Sequence, residues 1–275
     1  MLAQDIQLPG GLLQQGSLEK QVHLHPLDGR LQLRLAEIVK AEEYLPQRVT
    51  EILVHAVRAI GNYPVQREQI TELCVADRQY LMLYLARLLD GDELWLQAHC
   101  HGCEKAFDLQ LRRSALPVKQ AGQGFPFTTA TVQGHTLKLR VPTGAVQERI
   151  VASSEAEALK TLLHHSIVEV DKRGRVDDFI NTLDSDAIDL IDAALDDVTP
   201  DIGTRLATQC PECGLDQVVS MNPYNLSVRQ LHELYQEIHA LAYYYHWSEE
   251  AILALPQERR HLYLHMINRT RGLHG

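Results

Sequence analysis

ELWLQAHCHGCEKAFDLQLRR, residues 93–113, sets two alternating apolar arms around a Cys100-x-x-Cys103 turn. A second stretch, GTRLATQCPECGLDQVVSM at residues 203–221, does the same around Cys210-x-x-Cys213. Alternation with a period of two reads as a strand, so each cysteine pair is predicted to sit at the tip of a β-hairpin. Two residues between thiols let both sulfurs reach one ion without stretching the backbone, and Gly102 and Gly214 suit such a cramped turn. Two knuckles face to face supply four thiolates in a tetrahedron. That closed, soft-ligand set is the one structural zinc takes, and it leaves no position for a substrate. The predicted metal ligands are therefore Cys100, Cys103, Cys210 and Cys213, holding one Zn2+ per chain. His99 and His101 flank the first knuckle as substitute ligands that four thiols make unnecessary. Two other readings stand beside this one: a redox-active C-x-x-C, although neither pair has a thioredoxin-like βαβ context, and plain reduced cysteines.

The two pairs are far apart in the chain, with 106 residues between Cys103 and Cys210. Only the tertiary fold can bring them together, and an ion between them then ties two halves of the chain. Structural zinc contributes roughly 10–16 kcal/mol of apparent binding energy in small finger systems, enough to decide whether such a junction forms. A faint internal repeat points the same way. Val22-x-Leu24-His25-x-x-Asp28-Gly29-x-x-Gln32-x-Arg34 aligns with Leu137-x-Leu139-Arg140-x-x-Thr143-Gly144-x-x-Gln147-x-Arg149. Each copy precedes helices and then a C-x-x-C, which suggests two related halves donating one knuckle each.

Outward from the hairpins the pattern is mostly helical. Val49, Ile52, Leu53, Ala56 and Ile60 predict a helix bounded by Pro46 and Gly61, and a second helix runs from an Asp77 N-cap to Gly91. Strands are expected at 22–25, 127–132 and 136–141, and helices at 154–165 and 177–197. A capping box at Ser227-x-x-Gln230 opens a helix whose apolar face is Leu231, Leu234, Ile238, Leu241 and Tyr245; Ser248 and Pro256 start two more. The fold class is thus α+β and helix-rich, two halves joined by a split four-cysteine zinc ribbon. Residues 1–115 form an N-terminal helical half with the first knuckle. Residues 116–222 hold a β segment, acidic helices and the second knuckle, and residues 223–275 form a helical tail.

Composition narrows the function. The 275 residues suit one large domain or two modest ones at roughly 150 residues each. Lys+Arg 26 against Asp+Glu 36 leaves a net charge of −10, which argues against a nucleic-acid or anionic-membrane partner. No apolar run approaches a membrane span, and the opening residues lack the layout of a secretory signal, so a cytoplasmic chain is expected. Five cysteines, an odd number without an export signal, do not suggest a disulfide scaffold. Nine aspartates and no lysine or arginine lie between Asp177 and Asp201. Asp186, Asp189, Asp192 and Asp196 share one helical face opposite Ile188, Ile191 and Leu195: a solvated surface, a docking stripe for a basic partner, or a carboxylate metal site that nothing else in the sequence recruits. His261 and His265 are one turn apart but lack a third ligand. Cys74 reads as a small buried hydrophobe on a helix. The run Tyr243-Tyr244-Tyr245-His246-Trp247 reads as a core plug or a partner contact. No nucleophile elbow, P-loop or dinucleotide fingerprint is present in the sequence.

The succession of motifs carries one more reading. Leu8-Pro9-Gly10-Gly11 is followed by Leu27-Asp28-Gly29, Val75-Ala76-Asp77-Arg78-Gln79-Tyr80-Leu81 and the first C-x-x-C. Then come Arg140-x-Pro142-Thr143-Gly144, the second C-x-x-C-G and Trp247-Ser248-Glu249-Glu250. Over most of residues 8–267 this resembles the baseplate hub proteins, or hub assembly chaperones, of T-even-type contractile phage tails and related phage-like injection systems. The resemblance implies a non-enzymatic structural or chaperone-like protein, present in the bacterial cytoplasm during assembly and then incorporated or released. It implies other baseplate subunits, hub or spike proteins, as partners, with no small-molecule substrate and no catalytic residue. The second knuckle is typical of the family, whereas the first has His101 where a proline is more usual. Asp77-Arg78 matches the family's helix-start motif, implying an N-cap and an ion pair. The rival function is a zinc-ribbon nucleic-acid-binding or adaptor protein, although the knuckles lack flanking basic-aromatic stretches. A redox or metalloenzyme is the third.

Overall fold

The strand–glycine–helix pattern read around Val22 and Leu137 is built twice. The computed structural model describes residues 6–41, 44–171, 175–224 and 231–270. The first set of elements runs β1 (Ile6–Gln14), β2 (Ser17–Leu24), α1 (Gly29–Ala41), α2 (Leu45–Ala56), β3 (Val57–Ile60), β4 (Tyr63–Pro64), α3 (Arg67–Glu72) and α4 (Val75–Asp90). The hairpin β5 (Glu93–His99) and β6 (Ala106–Arg112) follows, then a 3-10 turn and β7 (Val118–Lys119). The second set is β8 (Phe127–Val132), β9 (His135–Arg140), α5 (Gly144–Ile150), α6 (Glu155–Ser166), β10 (Ile167–Val170), α7 (Val176–Ile180) and α8 (Ser185–Val198). After β11 (Asp201–Ile202) comes its hairpin, β12 (Arg205–Gln209) and β13 (Asp216–Ser220). Three helices close the described chain: α9 (Leu231–Tyr245), α10 (Glu249–Leu253) and α11 (Gln257–Thr270). The protein is a mix of helix and sheet.

The two sets match residue for residue at their centres. β1-β2-β3 and β8-β9-β10 are antiparallel in the same order. Val22 pairs with Ile60 and Leu24 with Val57; the residues aligned with them, Leu137 and Leu139, pair with Val170 and Ile167. Both opening hairpins turn on Gln-Gly, Gln15-Gly16 and Gln133-Gly134, all four at positive φ, as a two-residue type I′ turn requires. One core closes around Leu8, Leu35, Leu53, Ile60 and Leu85, and another around Val132, Leu139, Ile167, Ile191 and Leu195.

A side chain plugs each repeat glycine. Arg78, fully buried, lies on Gly144 so closely that a Cβ there would fall 1.9 Å from its Nη1. Its guanidinium donates to the Pro46 and Ile70 carbonyls, while the Gly144 N–H donates to the Leu73 carbonyl at 3.0 Å. Arg260, also fully buried, approaches Gly29 less closely, its Nη1 3.0 Å from where a Cβ would lie with Leu253 Cδ2 at 2.9 Å, and donates to Gln32, Leu255 and Glu237. Isolated bridges pair Cys74 with Thr143 and Pro256 with Asp28, each four residues before the arginine. The short-helix–long-helix pair α3–α4 thus docks on the second repeat as α10–α11 docks on the first.

Several local expectations are corrected. The helix expected to reach Ile60 stops at Ala56, because Val57–Ile60 is a strand paired to β2. The expected 177–197 helix is broken into α7 and α8, with Asp184 capping the second through the Ala187 N–H. Cys74, 3% exposed, sits at the α3–α4 junction as the N-cap of α4, rather than within a helix. Asp77 therefore lies in the first turn and is no N-cap. Its buried carboxylate accepts the Gly10 and Gly11 N–H groups, both at 2.8 Å. Arg78 bonds to carbonyls, so the implied ion pair is replaced by backbone contacts. Pro9-Gly10-Gly11, whose proline and glycines are turn signals in sequence, is a bulge inside β1 with Gly11 at φ +109. The Ser227–Gln230 box lies outside the described residues.

Candidate metal centre

The two hairpins share a base and a tip. At the base, β7 leaving the first hairpin pairs with β11 entering the second, Lys119 with Asp201 and Val118 with Ile202. Apolar residues of both hairpins, Leu94, Leu96, Leu111 and Leu206, pack with Leu83 of α4, Ile202 and Met221. Nearer the tips, Ala98 and Phe107 pack with Cys100 and Cys210. The alternation that marks these segments as strands also directs one face of each into this small shared cluster.

The knuckles are the same turn made twice. The Cys100 N–H donates to the Lys105 carbonyl and the Glu104 N–H to the Cys100 carbonyl, at 2.9 and 3.0 Å. In the second knuckle the Cys210 N–H donates to the Leu215 carbonyl and the Gly214 N–H to the Cys210 carbonyl, both at 2.9 Å. The residue after the second cysteine is left-handed in both, Glu104 at φ +59 and Gly214 at φ +76, which explains the glycine at 214. Gly102 has a different reason. A Cβ there would lie 2.9 Å from Leu215 Cδ2 of the opposite knuckle, so the glycine serves close approach.

All four predicted ligands come together. The sulfurs of Cys100, Cys103, Cys210 and Cys213 lie within 4.8 Å of one another. Cys100 and Cys213 are 3.5 Å apart, and Cys103 and Cys210 are 3.8 Å apart. A tetrahedral zinc with Zn–S of about 2.3 Å sets its sulfurs about 3.8 Å apart, whereas a disulfide holds them at about 2.05 Å. The spacing is therefore that of a thiolate cage, and the donor set fits a soft four-coordinate ion. Neither His99 nor His101 is part of the cluster. Among the described residues no other such cluster includes His261, His265 or the aspartates of α8. His261 instead bonds Glu237, and those aspartates are exposed while Ile191 and Leu195 are buried; Ile188 is half-buried.

The local field favours a thiolate at Cys100. The N–H groups of Cys103 and Gly102 aim at Cys100 Sγ and hold its pKa down to about 6. The Leu215 N–H favours the Cys213 thiolate, yet the neighbouring sulfurs, Cys100 foremost, push that thiol up to about 12. Four close sulfurs cannot all ionise without a cation among them, and a bound divalent ion removes that obstacle.

Sequence reasoning missed the second layer. The Gln217 side chain accepts the His101 N–H at 3.1 Å and donates to the His99 carbonyl at 3.5 Å, stitching the second hairpin to the first knuckle. Lys105 and Glu212 form an exposed ion pair across the tips at 2.6 Å. Both could have been suspected from their places beside the cysteines, but only the fold sets them opposite one another. The aromatic run divides. Tyr245 and Trp247 stack on each other and meet Tyr263 edge-to-face in the α9–α11 core, while Tyr243 and Tyr244 face outward.

A family model described as the T4 bacteriophage base plate protein matches residues 37–224. No curated protein and no solved structure matches the chain. The matched span begins in α1 and ends just after β13, so it contains both knuckles and the junction between them.

Proposed function

The chain belongs to the T4 bacteriophage base plate protein family, and from that membership we propose that it is a non-enzymatic hub subunit or hub assembly chaperone of a contractile tail or phage-like injection system. The family match over residues 37–224 is the observation that carries this reading. Zinc held by Cys100, Cys103, Cys210 and Cys213 stabilises the junction, for which the clustering of the four sulfurs within 4.8 Å is the support. When bound, the ion supplies rigidity and no open coordination position. The protein's own residues do the rest: Gln217 orients the first knuckle, Leu215 fills the space over Gly102, and β7–β11 fixes the hairpin bases.

Residues 1–115, 116–222 and 223–275 act as two halves and a tail, the halves forming the rigid centre and the tail presenting its outward aromatic residues to neighbouring subunits. Tyr235, Tyr243 and Tyr244 of α9 and Leu262 and Met266 of α11 are exposed, which supports that role. No helix among the described residues is long and apolar enough to cross a membrane. The test is co-purification with hub or spike subunits, comparing the full chain with one ending at Asn225. Capture by the full chain and its loss on truncation are expected. Failure of the full chain to capture any baseplate subunit refutes the proposal.

A further inference from the structure

In each knuckle the first cysteine is buried and the second lies further out. Cys100 and Cys210 are each 2% exposed, whereas Cys103 is half-buried and Cys213 exposed. The paired hairpins set each outer sulfur beside the buried sulfur of the opposite knuckle, Cys213 by Cys100 and Cys103 by Cys210. We propose that the tetrad is an oxidation site whose product is a pair of disulfides across the junction, Cys100–Cys213 and Cys103–Cys210. A two-electron oxidant of the peroxide class thereby exchanges a metal clamp for a covalent one. The zinc-loaded starting state rests on the reading proposed above; the pairing itself does not.

The chemistry balances on these residues. Peroxide reaches the exposed Cys213, which a bound ion would hold deprotonated, and its sulfur attacks one oxygen; the O–O bond breaks, hydroxide leaves, and a sulfenic acid remains. The Cys100 thiolate then attacks the Cys213 sulfur, the S–S bond forms and a second hydroxide leaves. Cys100 and Cys213 would then no longer be available as ligands, and a zinc held by the tetrad would be released as Zn2+. A second peroxide repeats the sequence at Cys103, with Cys210 as the resolving thiol. Closing 3.5 Å to a disulfide asks for about 1.5 Å of sulfur movement, within reach of side-chain rotation. Within the first knuckle the Gly102 and Cys103 amides already occupy the near side of Cys100 Sγ, which favours the partner across the junction. The halves would therefore stay tied under oxidising conditions that strip the metal.

The experiment treats the zinc-loaded full chain with hydrogen peroxide, follows metal release with a chromogenic chelator and maps disulfides without reduction. About one zinc per chain is released, and linked peptides join Cys100 to Cys213 and Cys103 to Cys210. Cys74, 3% exposed, stays reduced and serves as the internal control. Links within each knuckle, or sulfinic and sulfonic acids without links, overturn the proposal. A chain that purifies without zinc overturns the metal reading alone, because the same map run on it still scores the pairing.

Discussion

Gly144→Ala tests the docking of α3–α4 on the second repeat more sharply than any other single change. The added methyl carbon would lie 1.9 Å from Arg78 Nη1, 2.5 Å from Cζ and 2.8 Å from Cδ. The guanidinium is already pinned by the Pro46 carbonyl at 2.7 Å and has no exposed surface to swing into. Overpacking a closed site costs about 1–3 kcal/mol, and disturbing a buried charged hydrogen bond costs about 1.5–3 kcal/mol. Replacing glycine by alanine in a helical first turn returns at most about 1 kcal/mol. The net expectation is a loss of about 2–4 kcal/mol, read by urea unfolding with zinc held saturating so that metal occupancy does not contribute. Gly29→Ala should cost less, because the nearest Arg260 atom lies 3.0 Å from the added carbon. Arg78→Met should rescue Gly144→Ala, making the double variant at least about 1 kcal/mol more stable than the sum of the single losses. A Gly144→Ala protein within about 0.5 kcal/mol of the parent refutes the plug.

Three other outcomes follow from the same geometry. Cys213→Ser should lower zinc stoichiometry from about one per chain toward zero and reduce thermal stability, read by metal analysis beside calorimetry; an unchanged melting temperature in metal-free protein removes the clamp. Asp77→Ala should cost about 2–4 kcal/mol by stranding the Gly10 and Gly11 N–H groups, whereas an equally stable variant would mean that water satisfies them. Zinc affinity should rise with pH across the neutral range, because a thiol pushed up to about 12 at Cys213 must release its proton on binding. Cys100, held to about 6, adds to that dependence only in acid. Competition titrations at several pH values give the slope, and a flat profile excludes thiolate ligation at Cys213.

What the sequence made legible was the chemistry with fixed spacing. Two thiols on a two-residue turn between alternating arms can be read without knowing where the arms go, and the hairpins stand at 93–112 and 205–220 as that pattern requires. The repeat at Val22 and Leu137 was legible for the same reason, since apolar alternation before a glycine fixes both register and helix start. The limits of α2 were hidden because Val57 and Ile60 are apolar at positions that satisfy a helix and a strand alike, and only pairing with β2 decides between them. Asp77 and Arg78 were misassigned for a deeper reason. Their partners are main-chain groups from residues 10, 11, 46 and 70, and no local pattern in sequence announces a carbonyl or an amide as a ligand. Gln217 escaped notice on the same account.

The junction between the halves does not depend on metal alone. Arg78 joins α4 to α5 through Gly144, β7 pairs with β11 at the hairpin bases, and the sulfurs meet at the tips. These ties lie in series along the interface and differ in kind: a buried cation in a glycine notch, a two-residue ladder and a thiolate cage. The first two need no ion, Arg78 bonding through its two Nη atoms while its Nε has no partner among the described residues, so they can form as the chain folds and bring the cysteines within reach of one another. The cage then closes a site already assembled, which removes most of the loop-closure cost that a span of 106 residues would otherwise impose on metal binding. In that order of events an ion bound by the four sulfurs would stiffen the hairpin tips more than it would create the fold.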